Sequence, residues 1–148
     1  MTVMSGELLR KSGIILNGVN EKVDDKILPS YGMDGALYTF RARETFGNLD
    51  VYHLPPFRSI SLLTLEEVWI PHDCIGRLYP KSTYARQGVI LVTNSPVDPG
   101  YKGPLTIRLF NTNFDQTVDI FLRGGLMQMV VDQLDDETRM GYNGRWSN

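Results

Sequence analysis

The chain has 148 residues, enough for one domain and too few for two ordinary ones. Hydrophobic residues make up 42% and charged residues 22%, values that exclude a disordered chain. With 15 basic and 17 acidic side chains the net charge is 15 − 17 = −2, which gives no electrostatic reason to expect nucleic-acid binding, while a few local cations and backbone N–H groups would still suffice for a small anion such as a phosphate.

In chain order, SGELLRKSG predicts one short helix, with Ser5 as its cap and Gly13 as its stop. GVNEKVDDKILPSYGMDG is turn-rich and polar. From Ala36 onward the chain reads as short strands between turn signals. ALYTFRA is the first, SISLLTLEEVWIP gives one or two more, and GVILVTN another. In PLTIRLFN, Leu105, Ile107 and Leu109 fall on one face and Thr106, Arg108 and Phe110 on the other. TVDIFL and LMQMVV follow, separated by RGG. DDETRMGYNGRWSN reads as a mobile tail. Many short strands at regular spacing predict an all-β barrel or a double-sheet jelly roll.

Cys74 is the single cysteine, so no intrachain disulfide can form, which fits a reducing compartment. No apolar run approaches a membrane span, and MTVMSGELLRKSG lacks the apolar core of a secretion signal. The expectation is a soluble, cytoplasmic protein with neither nucleic acid nor membrane as partner, of cellular or viral source.

Several stretches resemble, in order, the motifs of the dUTPase and dCTP deaminase superfamily. YGMDGALY looks like the first motif. PKSTYARQG is similar to the second, especially in its deaminase form. VDPGYKG is close to the third, and LRGGLMQMVV resembles the fourth, a glycine turn running into a strand that carries Gln128. RMGYNGRW is a loose match to the fifth. The resemblance covers residues 30–146. It implies a distorted β-barrel or jelly roll over 1–135, an arm over 136–148 that closes over a site, and assembly as a homotrimer. It also implies active sites between subunits and a deoxypyrimidine triphosphate ligand with Mg²⁺ on its phosphates.

Read from the residues alone, Asp98 on its Pro-Gly turn either bonds backbone N–H groups to organise the turn or serves as a fixed base. The resemblance implies that it holds the sugar and activates the water that attacks the α-phosphorus, and that Tyr101 packs on the deoxyribose. Ser82 would bond the phosphate bridge. Lys81 stands where the family usually has Arg, keeping the charge and losing the planar two-point grip. Arg86 matches an arginine of the deaminase site. Gln128 follows Gly124 and Gly125, whose amides are expected to face a phosphate. Thr93 and Asn94 would read the base with backbone groups. Arg139 or Arg145 would reach the γ-phosphate, and Tyr142 or Trp146, beside Gly144, would cover the base.

Arg108 discriminates between the family's two reactions, because the deaminases place there a Glu that moves protons at the ring. A guanidinium stays protonated and has no acceptor, so it cannot replace that Glu. Zinc-dependent deamination fails as well: it needs a His or Cys plus two further Cys, and only Cys74 exists. His72 and His53 read as surface or strand-end residues. The expectation is a diphosphohydrolase acting on dUTP or a related deoxypyrimidine triphosphate, the alternative being a noncatalytic nucleotide- or partner-binding trimer.

Overall fold

The computed structural model describes residues 1–43, 51–92, 95–138 and 140–144. In chain order its elements are β1 (Thr2–Val3), α1 (Gly6–Ser12), β2 (Lys22–Val23), β3 (Tyr31–Met33), β4 (Tyr38–Phe40), β5 (Val51–Leu54), β6 (Ser59–Trp69), β7 (Cys74–Pro80), α2 (Ser82–Ala85), β8 (Val89–Leu91), β9 (Lys102–Asn111), β10 (Val118–Phe121) and β11 (Met127–Gln133). The all-β expectation holds. Helix α1 has its expected ends: the Ser5 hydroxyl accepts from Leu8 N at 3.2 Å, and Gly13 takes the left-handed conformation at φ 75° that lets the chain turn away.

Among the described residues all strand pairs are antiparallel. β11 is the hub of the largest sheet. Its first half pairs with β4, its end with β1, and its whole length with β7, in the register Met127↔Pro80 to Gln133↔Cys74. β9 lies between β6 and β8, and β5 pairs with β10. SISLLTLEEVWIP forms one strand, with a break in register between Leu63 and Glu67.

The alternation expected in β9 is observed: Leu105, Ile107 and Leu109 are buried, and Thr106 and Arg108 are exposed. The inward residues of the sheets meet in one apolar core that includes Leu62, Val68, Ile70, Ile120, Leu126, Met127, Met129 and Val131. Full burial of each such side chain contributes about 1.5–3 kcal/mol. β6 also turns a carboxylate inward. Glu66 is fully buried, with Arg41 Nε 3.3 Å from Oε1 and Arg41 N 3.3 Å from Oε2. Burial pushes the Glu66 carboxyl up, while Arg41 draws it back down. Arg41 also lies 4.3 Å from the centre of the Tyr31 ring, so the ion pair is closed off by an aromatic face.

Candidate functional site

The motif residues gather at the two ends of β7. At the Pro80 end, Lys81 N donates to Leu126 O at 3.1 Å, which fastens the start of α2 to the entry of β11. Ser82 opens α2 and is exposed. Arg86 follows the helix and is exposed as well. Gln128 is half-buried on β11, between Thr39 of β4 and Tyr79 of β7. The β7–β11 pairing thus brings the start of α2, with Lys81 and Ser82, to the end of β11 that carries Gln128, more than forty positions on in sequence.

Lys81 is turned into the protein. It is only 9% exposed, and its Nζ donates to Ser30 Oγ at 2.9 Å. Burial pulls its pKa below the ordinary lysine value. Repulsion from Lys22 adds to this, and Asp34 and Asp24 oppose it. The amides of Gly124 and Gly125 do not face a phosphate, which corrects that expectation. Gly124 N donates to Phe121 O at 3.1 Å and Gly125 N to Pro29 O at 2.9 Å. The reason for glycine is close approach: a Cβ on Gly125 would lie 2.1 Å from Ser30 O, and one on Gly124 2.8 Å from Pro29 Cδ.

At the Cys74 end, Val97 and Gly76 exchange two backbone hydrogen bonds, of 3.0 and 2.7 Å. This pairing delivers Asp98 to an exposed position at the start of the turn. The turn is pinned by Gly100 N to Ile70 O at 2.6 Å, Tyr101 N to Asp98 O at 3.1 Å and Ile70 N to Tyr101 O at 2.8 Å. Gly100 has φ +86°, which suits glycine. Tyr101 is half-buried and its hydroxyl donates to Pro104 O. Burial pushes that phenol up.

The tail reaches this same turn. Tyr142 N donates to Pro99 O at 2.6 Å, and the Tyr142 and Tyr101 rings meet edge-on with centroids 5.2 Å apart. His72 belongs to this contact too, since Thr138 N donates to His72 O at 2.9 Å and His72 Nδ1 lies 3.1 Å from Thr138 O. Sequence reasoning missed this role, and a lone histidine carries no signal for it. Thr93, Asn94, Arg139 and Arg145 lie outside the described residues, as does Trp146.

From Gly76, beside Val97, to Pro80, beside Lys81, β7 runs for about 13 Å at roughly 3.3 Å per residue. Each end of β7 thus carries part of the expected constellation. Cys74 at its start is buried, and burial together with Asp73 pushes its thiol up to about 12. His53 is elsewhere, 2.5 Å from Asp119 across the β5–β10 pair. No described helix is long and apolar enough to cross a membrane.

Residues 19–146 match the family model described as dCTP deaminase-like. The dCTP deaminase of Pyrococcus horikoshii is 36% identical over 93 residues, which cover 63% of this chain and 58% of the relative, so the match spans under two thirds of that protein's length. The dCTP deaminase of Pseudomonas aeruginosa is 28% identical in an alignment covering 98% of this chain and 92% of the relative. Among solved structures, the dCTP deaminase of Agrobacterium tumefaciens superposes with a TM-score of 0.65 at 14% identity, covering 88% of this chain and 47% of its own. The dUTPase of Staphylococcus bacteriophage 80alpha gives a TM-score of 0.56 at 15% identity, covering 86% and 84%. At such identities these structures establish a shared fold.

Proposed function

Because this chain belongs to the dCTP deaminase-like family, whose members act on deoxynucleotide triphosphates, we propose that it hydrolyses dUTP or a related deoxypyrimidine triphosphate to the monophosphate and pyrophosphate. The observation that carries the reading is Asp98. Its carboxylate is exposed on a turn held by backbone hydrogen bonds on both sides, so a base there has a fixed position and access to water. The Asp98 carboxylate accepts a proton from water. The water oxygen bonds to the α-phosphorus, the bond from that phosphorus to the α–β bridging oxygen breaks, and pyrophosphate leaves with the bonding pair. Ser82 donates a hydrogen bond to the bridge, while Tyr101 packs on the sugar.

Among the described residues no group of three or more His, Cys, Asp and Glu could hold a metal. Mg²⁺ in this reading would be held by the substrate's phosphates rather than by side chains, as suits a hard cation that keeps most of its waters. Bound there, it would neutralise the charge on the departing pyrophosphate. Arg86, Gln128, Thr93, Asn94, Tyr142 and one of Arg139 and Arg145 complete the proposed set of ligand contacts.

A base and a bridge donor that act on one phosphorus stand within roughly 6–8 Å of each other, the sum of hydrogen-bond and bond lengths through water and phosphate. The separation of the two ends of β7 supports a site shared between two copies in a homotrimer. One copy would supply Asp98 and Tyr101, and another Ser82, Arg86 and Gln128.

The named relatives are dCTP deaminases, so deamination is the competing chemistry. Arg108 weighs against it. It is exposed on β9 and, among the described residues, has no carboxylate partner; its guanidinium donates to Ser59 Oγ at 3.5 Å. A group with five donors and no acceptor cannot carry protons from water to a leaving amine. A noncatalytic nucleotide-binding trimer is the second reading, and the burial of Lys81 favours it, since one expected phosphate cation is turned inward. Incubation with dUTP, dCTP and dTTP decides among the three. Pyrophosphate release supports hydrolysis, ammonia from dCTP supports deamination, and neither product at high protein concentration supports the binding role.

A further inference from the structure

Helix α2 is a single turn of four residues, too short to persist on its own, yet Ser82 opens it and Arg86 follows it directly. Its middle is anchored by Tyr84, which is fully buried and whose hydroxyl accepts from Phe121 N at 3.0 Å. Its exit is held by the loop after β9. Asn113 Nδ2 donates to Gln87 O at 2.7 Å, and Thr112 donates twice to Gly88 O, from N at 3.0 Å and from Oγ1 at 2.6 Å. The approach is tight, since a Cβ on Gly88 would lie 2.9 Å from Asn113 Nδ2.

Behind Asn113 stands Asn111, which is fully buried. Its Oδ1 accepts from Asn113 N at 2.9 Å and from Asn113 Nδ2 at 2.8 Å, and its Nδ2 donates to Leu54 O at 3.0 Å and to Gln116 O at 2.8 Å. Both donors and both acceptor positions of this amide are used, so burial leaves it one orientation. Asn111 thereby fixes Asn113, and Asn113 grips the chain one residue after Arg86.

We propose that Asn113, seated by Asn111, is a positioning residue for Arg86. Arg86 as a ligand contact rests on the reading of the site given above. Its side chain is long and exposed, so ordering it on a ligand costs conformational entropy, and a loose backbone beneath it would add to that cost. Asn113 need not touch the nucleotide. It acts by closing the last turn of α2 against the end of β9.

Two readouts separate the clamp from the reading of the site. Amide hydrogen exchange follows the bonds that close the helix exit: Arg86 N to Ser82 O, Gln87 N to Tyr84 O and Gly88 N to Ala85 O. Asn113→Ala should speed exchange at these three amides about five- to tenfold and leave those of β7 and β11 unchanged. Asn113→Asp keeps the shape but loses the donor, and should match it. Unchanged exchange in both variants would overturn the clamp. The second readout is calorimetric titration with the non-hydrolysable α,β-imido analogue of dUTP and Mg²⁺. Asn113→Ala should weaken binding about five- to tenfold. Added to Arg86→Ala it should cost little more, because a contact already removed cannot be misplaced. Losses that multiply would overturn the link from Asn113 to Arg86. Wild-type protein that binds no nucleotide would overturn the reading of the site and with it the task of Arg86, while the exchange rates would still decide the clamp.

Discussion

The two ends of β7 carry parts of one proposed site, yet they are built differently. At the Pro80 end the chain is packed to contact: Lys81 is buried on Ser30, and Gly125 admits the Ser30 carbonyl where a methyl group would not fit. At the Cys74 end the Asp98 turn is held by backbone hydrogen bonds and covered by the tail, with its carboxylate left in water. The packed end behaves as core, so changes there act on stability first. The open end can lose a functional group while the fold stays whole.

Substitutions can break this contrast. Asp98→Asn should have the largest effect, a fall in pyrophosphate release of about 10²–10⁴-fold, as loss of a general base implies. Thermal stability should stay within about 0.5 kcal/mol of wild type, because the side chain is exposed. An unchanged rate would contradict the base assignment. At the other end Gly125→Ala should destabilise by about 3 kcal/mol, since the new methyl meets backbone at Ser30 and the Thr39 side chain. Calorimetry would register a fall in Tm of roughly 10 °C.

Lys81 gives a smaller and pH-dependent effect. Its pKa in the folded protein lies below the ordinary value of 10.5, so between those two values the unfolded chain binds more protons. The penalty is full below the folded pKa and is relieved as pH rises through it toward 10.5. Lys81→Met should therefore gain stability relative to wild type at neutral pH, with the gap closing in alkali. The comparison is sharpened by following Tm of both proteins with pH; a gap that widens in alkali would contradict the sign. The smallest signal is expected from Arg108→Glu. Stability should change by no more than about 0.5 kcal/mol. Ammonia release from dCTP should become detectable as an acceptor returns to β9, and its absence would mean that more than Arg108 separates this chain from deamination.

Much of the open end is legible in the sequence. The alternation of β9 places Arg108 outside, the Pro-Gly turn exposes Asp98, and the caps of α1 stand where Ser5 and Gly13 suggest. β7 is harder to read, because CIGRLYP contains a glycine and ends in proline. At Gly76 a Cβ would lie 2.9 Å from Met129 Sδ and 3.2 Å from the Val97 Cβ, so a side chain there would crowd both, a fact of tertiary packing. β1, β2 and β3 are two or three residues long and form only through distant partners. The inward turn of Lys81 follows from Ser30, fifty-one positions away. The seat of the tail rests largely on backbone hydrogen bonds, which leave no side-chain pattern, and on a histidine whose partners are carbonyl and amide groups.

The shared site is tested most directly by mixing defects. Asp98→Asn and Ser82→Ala chains, each inactive alone, are co-expressed and assayed for pyrophosphate release from dUTP. If Asp98 and Ser82 act together from different copies, random assembly leaves about a quarter of the sites intact, and activity should return to about that fraction of wild type. Mixed assemblies that stay as inactive as either parent would place both residues in one chain's site and contradict the account.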